Sequence, residues 1–334
     1  MQYRSVKGFT GWGQIGFLLL FTGLGLMVAA VVQLIVGFSL VPAGTKMNDI
    51  AVEMMKAMGN PKHVNTLRVL QVVSTFLMMG IPAYLFLRLC HSKNWLWLGF
   101  SKHFTPAQVV VGFVLLFCAN LVAQPLADLS KEIVTYFPVV LKKAENLEKL
   151  YNDQVALMSN LTSWSEFIIA VFIIAFFPAL FEEMFFRGAL QNTLQRWWKS
   201  PIAAIVVSSL IFSLIHLSIY LFLSRVLLGI GLGWIFYKSR NIWVGTVVHF
   251  LNNTFALIQI FALSKADKKV DVSKLDADLP WWAVGLSFVF LIGSAYLFKM
   301  ISASNAEKIR VKEVLLYEKL QPYSGLTSKT SKDV

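Results

Sequence analysis

The sequence predicts an all-α, polytopic integral membrane protein with about eight transmembrane helices, and three observations carry that prediction. Of the 334 residues, 57% are hydrophobic and only 14% charged, a balance that soluble domains rarely show. Several apolar runs approach or exceed the roughly 18 residues that cross a bilayer as helix. Nothing alternates like a barrel strand, and helices are the other structure that satisfies its own backbone in lipid.

The expected spans lie near 14–41, 68–89, 107–127, 166–190, 201–217, 219–237, 241–263 and 281–300. The first run is too long for a signal-peptide core and is expected to be retained. Between the third and fourth spans, "VVLKKAENLEKLYNDQVALM" is amphipathic and predicts a helix lying on the membrane surface. Pro178, inside the fourth span, frees the carbonyl of Ile174 and predicts a kink. Pro201 and Pro280 stand at span starts, where a missing N–H costs little. Trp197, Trp198, Trp281 and Trp282 are expected as interface anchors. The tail segment "AEKIRVKEVLLYEKL" reads as a second interfacial helix. The chain thus divides into three parts. Residues 1–165 hold three spans and the amphipathic segment, 166–263 form the central helical core, and 264–334 hold the last span and a basic tail.

The net charge of +12 does not indicate nucleic acid, because the basic residues are spread over loops and tail rather than gathered on one face. Placing both termini in the cytoplasm puts Arg4, Lys7, Arg88, Lys93, Arg196, Lys238 and Arg240 inside, as membrane proteins favour. The opposite loops, such as "KADKKVDVSKLDAD", nearly balance their lysines with acids. A bacterial inner membrane is the expected setting. Cys90 and Cys118 form no disulfide or metal spacing, the "NLT" at Asn160 reads as a chance sequon, and "SKDV" carries no lipidation motif.

The chemistry concentrates in "FEEMFFRG", residues 181–188. A charge at membrane depth costs at least roughly 2.5 to 3.5 kcal/mol, so each one needs a partner or a task. Glu183 and Arg187 are four apart and share a helical face, in the order that favours an ion pair. Glu182 is turned about 100° away and has no such partner on its own helix. A carboxylate so placed suits a general base; a structural cluster joining helices is the alternative. Of the five histidines, His216 and His249 fall within spans. His216 closes "FSLIH", one turn after Phe212, and His249 opens "HFLNN", one turn before Asn253. Glu182, His216, His249 and Asn253 together can activate water and stabilise an oxyanion. By helix rise Glu182 and His249 lie about 12 Å deep and His216 about 22 Å, so a shared site requires tilt or a fourth span continuing toward Trp197.

"EEMFFR", "FSLIH" and "HFLNN" match, in order, the EExxxR, FxxxH and HxxxN motifs of the CAAX-processing and bacteriocin-processing intramembrane proteases. Over about residues 166–260 the chain resembles that family, which includes the type II CAAX prenyl endopeptidases. The resemblance implies an intramembrane endopeptidase acting on a hydrophobic or lipidated peptide. It gives Glu182 the general-base role, has His216 help hold the water, and makes His249 and Asn253 the oxyanion hole. Glu183 and Arg187 support the site, and Phe212 walls it. The family is often described as metalloproteases, and Glu182, His216 and His249 are the candidate His₂Glu ligands of a divalent metal such as zinc. HExxH is absent and Asn is a poor zinc ligand, which favours a glutamate mechanism without metal. Two other classes remain: a non-catalytic immunity or scaffold protein, and a proton-coupled transporter. Arg225 is expected either to pair with Glu182 or Glu183 or to snorkel outward. Asn192 and Asn252 read as helix-joining residues. In "GIGLG", Gly229 and Gly233 read as a small-residue packing pair rather than a nucleotide loop.

Overall fold

The computed structural model describes residues 3–158, 161, 163–265 and 279–320. Its main helices are α1 (Gly11–Ser39), α2 (Ile50–Met58), α3 (Pro61–Cys90), α4 (Pro106–Thr135), α5 (Pro138–Met158) and α6 (Trp164–Trp198). They are followed by α7 (Pro201–Leu214), α8 (Phe222–Ser239), α9 (Ile242–Lys265) and α10 (Trp281–Leu320). Sequence chemistry explains several boundaries. Thr105 and Gln108 close a capping box at the start of α4, Ser200 caps α7, and Pro106 and Pro201 occupy first-turn positions.

The protein is an all-α polytopic membrane protein. Six of the described helices, α1, α3, α4, α6, α9 and α10, are long and apolar enough to cross a bilayer. Two of the eight expected spans do not meet that criterion of length and hydropathy. α7 has 14 residues, short of a full crossing, and α8 has 18 and carries Arg225 and Lys238. The fourth span does continue toward Trp197, making α6 35 residues long. The tail segment is no separate interfacial helix. It extends α10 to 40 residues, about 60 Å by helix rise, twice the hydrocarbon thickness. Asn160, most of the "KADKK" loop and the "SKDV" end lie outside the described residues.

Packing divides the bundle. α1 lies against α3, while α4 contacts α8, α9 and α10, and α7 packs on α8. One apolar core gathers Phe86, Leu98, Phe181, Phe185, Phe186 and Phe212 between α3, α6 and α7. A second, around Leu115, Ile235, Val248 and Phe298, joins α4, α8, α9 and α10. Some of the basic residues draw separate segments together. Lys7 Nζ donates to the Arg88 carbonyl at 2.7 Å, and Glu313 of α10 pairs with Arg196 at 3.3 Å and Arg240 at 2.5 Å. α5 lies toward the other end of α4, with Glu148 accepting from Ser218 at 2.8 Å in the turn that follows His216.

Prolines and π-helical stretches coincide. In α3, Phe76–Gly80 is π-helical just ahead of Pro82; in α6, Val171–Phe176 is π-helical just ahead of Pro178. The amides of Ile81 and Phe177 reach back five residues, to Phe76 and Phe172. A proline lacks the donor that continues the ordinary ladder, and the wider turn absorbs the break.

Candidate active site

A third π-helical stretch, Glu183–Gln191, carries the charges of α6. Such stretches are frequent at functional sites because they re-aim side chains that a regular helix would splay. Glu183 is 0% and Arg187 1% exposed, and the two form the expected ion pair, Nη1 to Oε1 at 3.2 Å. The pair does not stand alone. Arg187 Nη2 donates to the Gly229 carbonyl at 3.2 Å, and Gln191, one turn on, donates to the Gly233 carbonyl at 3.0 Å. A Cβ at Gly229 would sit 2.9 Å from Ser209 Cβ, and one at Gly233 would sit 2.8 Å from Gln191 Oε1. The two glycines therefore permit close packing and also expose two carbonyls of α8 to the polar residues of α6. The Arg187 guanidinium lies 4.9 Å from the centre of the Phe212 ring.

α9 brings His249 between the two glutamates. Its Nδ1 lies 3.3 Å from Glu183 Oε1 and its Nε2 3.8 Å from Glu182 Oε2. With Nδ1–H donated to Glu183, Nε2 is the ring atom turned to Glu182. When the ring carries both protons, its charge and that of Arg187 balance the two carboxylates. Gly245, one turn before His249, makes this approach possible, since a Cβ there would lie 2.8 Å from Glu183 Oε2. Glu182 is 13% exposed, and His249 is its only ionic partner among the described residues.

His216 lies just past α7, in the turn where Leu217 takes φ +55°. Its Nδ1–H donates to the Phe212 carbonyl at 2.7 Å, which leaves Nε2 as the free acceptor of the neutral ring. The Phe212 ring centre is 4.7 Å from that of His216 and 6.1 Å from that of His249, so one aromatic side chain separates and positions both imidazoles. Asn253, one turn after His249, is partly buried and its amide has no hydrogen-bond partner among the described residues. The structure therefore brings Glu182, Glu183, Arg187, Phe212, His216 and His249 together, with Asn253 next along α9.

Among the described residues no three of His, Cys, Asp and Glu are arranged to hold a metal ion. His249 Nδ1 faces Glu183 and His216 Nδ1 bonds a backbone carbonyl, which leaves Nε2 of each ring free to meet water or another ligand. Arg225 pairs with neither glutamate. Its guanidinium lies over the Tyr151 ring of α5 at 4.8 Å, because α8 turns it toward α5 rather than α6. Asn192 donates to the Trp97 carbonyl at 2.9 Å, tying α6 to the connection between α3 and α4, and Asn252 accepts from Asn120 at 2.5 Å, joining α9 to α4. Gly245, Gln191 and Asn120 are residues around the site that motif spacing does not reveal, since each is defined by a neighbour from another helix.

Fold and polar cluster together define a polytopic membrane protein with an internal carboxylate–imidazole site. Residues 164–255 match the family model described as type II CAAX prenyl endopeptidase Rce1-like, a protease family and the one that the three motifs resemble. The chain matches no curated protein and no solved structure.

Proposed function

We propose that this protein is an intramembrane endopeptidase that cleaves a lipid-anchored or hydrophobic peptide, of CAAX type, with water activated by Glu182. One observation carries the assignment. Of two adjacent glutamates, Glu183 is buried and held by Arg187 and His249, while Glu182 keeps a partly open carboxylate facing His249 Nε2. Glu182 takes a proton from water as the water oxygen attacks the scissile carbonyl carbon. His216, its Nδ1–H fixed on the Phe212 carbonyl, holds that water through Nε2. The oxyanion accepts from His249 Nε2–H, oriented by Glu183, and from the Asn253 amide. As the intermediate collapses, Glu182 returns the proton to the leaving nitrogen, so the base ends as it began.

The charge pattern supports an orientation with both termini in the cytoplasm, and the expected setting is a bacterial inner membrane. The test is cleavage of a prenylated peptide by the full-length protein in detergent, with Glu182→Gln as the control. Loss of about 10²- to 10⁴-fold in Glu182→Gln, with folding retained, is expected. Equal cleavage by Glu182→Gln refutes the mechanism. A cellular phenotype that persists in Glu182→Gln would indicate a scaffold or immunity role, and proton-coupled uptake into liposomes a transporter.

A further inference from the structure

A cavity of about 600 Å³ opens between α4, α5, α8 and α9, within the range of sites that take small ligands. Its walls include Asn120, Gln124, Tyr151, Arg225 and Asn252. Arg225 Nη1 is buried there without a hydrogen-bond partner among the described residues, and its guanidinium is steadied over Tyr151. The carboxylate on the same wall, Glu148, already accepts from Ser218. A fixed positive charge thus faces the cavity without a carboxylate bonded to it. Two neutral groups add detail. Gln124 Oε1 is a buried acceptor with no donor. Asn252 has its oxygen engaged by Asn120, which leaves its NH₂ as a donor.

A cation, a donor and an acceptor in one cavity complement the end of a peptide, which offers a carboxylate, a carbonyl and an N–H. A phosphodiester group offers acceptors only and would leave Gln124 unpaired. The cavity shares α9 with the candidate catalytic residues: Asn252 on its wall precedes Asn253, one turn after His249. Resting on the proposed function, we propose that this cavity binds the free C-terminal carboxylate of the peptide substrate. Arg225 takes the carboxylate, Gln124 receives a backbone N–H and Asn252 donates to a backbone carbonyl. Such an anchor sets the distance of the scissile bond from the chain end, because the cavity holds the end while Glu182 waits at the bond.

The experiment compares two lipidated peptides that differ only in a C-terminal carboxylate or carboxamide, with the full-length protein in detergent. Wild type is expected to favour the carboxylate by about 10- to 100-fold in kcat/KM, expressed mainly in KM. Arg225→Gln should bring that ratio toward one, and Arg225→Lys should retain part of it. Equal cleavage of both peptides by wild type, or an unchanged ratio in Arg225→Gln, overturns the inference and leaves the proposed function standing. A loss in Arg225→Gln that is equal for both peptides and depends on added phosphatidylglycerol assigns the cavity to a lipid headgroup, and also overturns it. Should Arg225→Gln not fold, the wild-type ratio and Arg225→Lys decide. Cleavage of neither peptide by wild type refutes the proposed function and this inference with it.

Discussion

Gly245→Ala is the most searching perturbation of the site, because it adds one methyl group and removes nothing. The new Cβ would lie 2.8 Å from Glu183 Oε2, against an ordinary contact of at least 3.4 Å. The carboxylate, or α9 itself, must therefore retreat by about 0.6 Å. Glu183 has no slack: it is 0% exposed, and its other oxygen holds Arg187 at 3.2 Å and His249 at 3.3 Å. Overpacking of this kind costs about 1–3 kcal/mol. A misplacement approaching an ångström in the groups that orient the reaction costs up to about 10²-fold in rate. Gly245→Ala should lower the thermal midpoint in detergent and reduce kcat/KM for a lipidated peptide by about 10- to 100-fold. Glu183→Ala separates this cause from general damage. Without the carboxylate the methyl has room, so adding Gly245→Ala to Glu183→Ala should cost little more. Wild-type activity and midpoint in Gly245→Ala, or strictly additive losses in the double variant, would refute the reasoning.

Two further perturbations test other links. Phe212→Leu removes the ring shared by His216, His249 and the Arg187 guanidinium, and should cost about 1–2 kcal/mol of cation–π stabilisation together with about tenfold in kcat/KM; unchanged kinetics would show that the ring is only filler. His91, just beyond the end of α3, is 5% exposed and stacked on Trp97, and burial, aided by the nearby Arg196 charge, pushes its imidazole down from 6.5 to about 3. Between those values the unfolded chain binds a proton that the folded chain does not, so stability should fall as pH drops through that window, by up to about 1.4 kcal/mol per unit. Thermal midpoints from pH 7 to 4 should decline in wild type and less steeply in His91→Phe; parallel curves would count against the buried neutral ring.

The helical class and the Glu183–Arg187 pair were legible because both depend on local periodicity, which a single chain displays. The number of crossings was less legible. Hydropathy does not show where a short apolar helix ends. α7 ends at Leu214 because the chain turns through His216 and Leu217 there, and the turn is fastened by Ser218 on α5, a contact between residues 70 apart. Nor does spacing foretell a π-helical stretch. Arguments from about 3.6 residues per turn hold for Glu183 and Arg187, yet Glu183–Gln191 follows the wider turn. The glycines show the same division. Gly229 and Gly233 were readable as a packing pair from their spacing, but the exposure of their carbonyls to Arg187 and Gln191 was not.

The same distinction explains why Glu182 stands out. Read alone, α6 offers Glu182 no cation, and that much is a statement about one helix. The structure turns it into a statement about a network. From the Gly229 carbonyl the chain of contacts runs to Arg187, from Arg187 to Glu183, from Glu183 to His249 Nδ1, and from Nε2 of that ring toward Glu182. Each interior member has neighbours on two sides, and Glu183 and Arg187 are shut off from solvent. Removing Arg187 would leave Glu183 buried and uncompensated, at a cost of about 3–5 kcal/mol, so those members are constrained by stability before any chemistry is asked of them. Glu182 is the terminus of the network, met from one side only and still 13% exposed. That position suits the proton exchange with water that the proposed mechanism asks of Glu182, and the rest of the cluster keeps His249 fixed beside it.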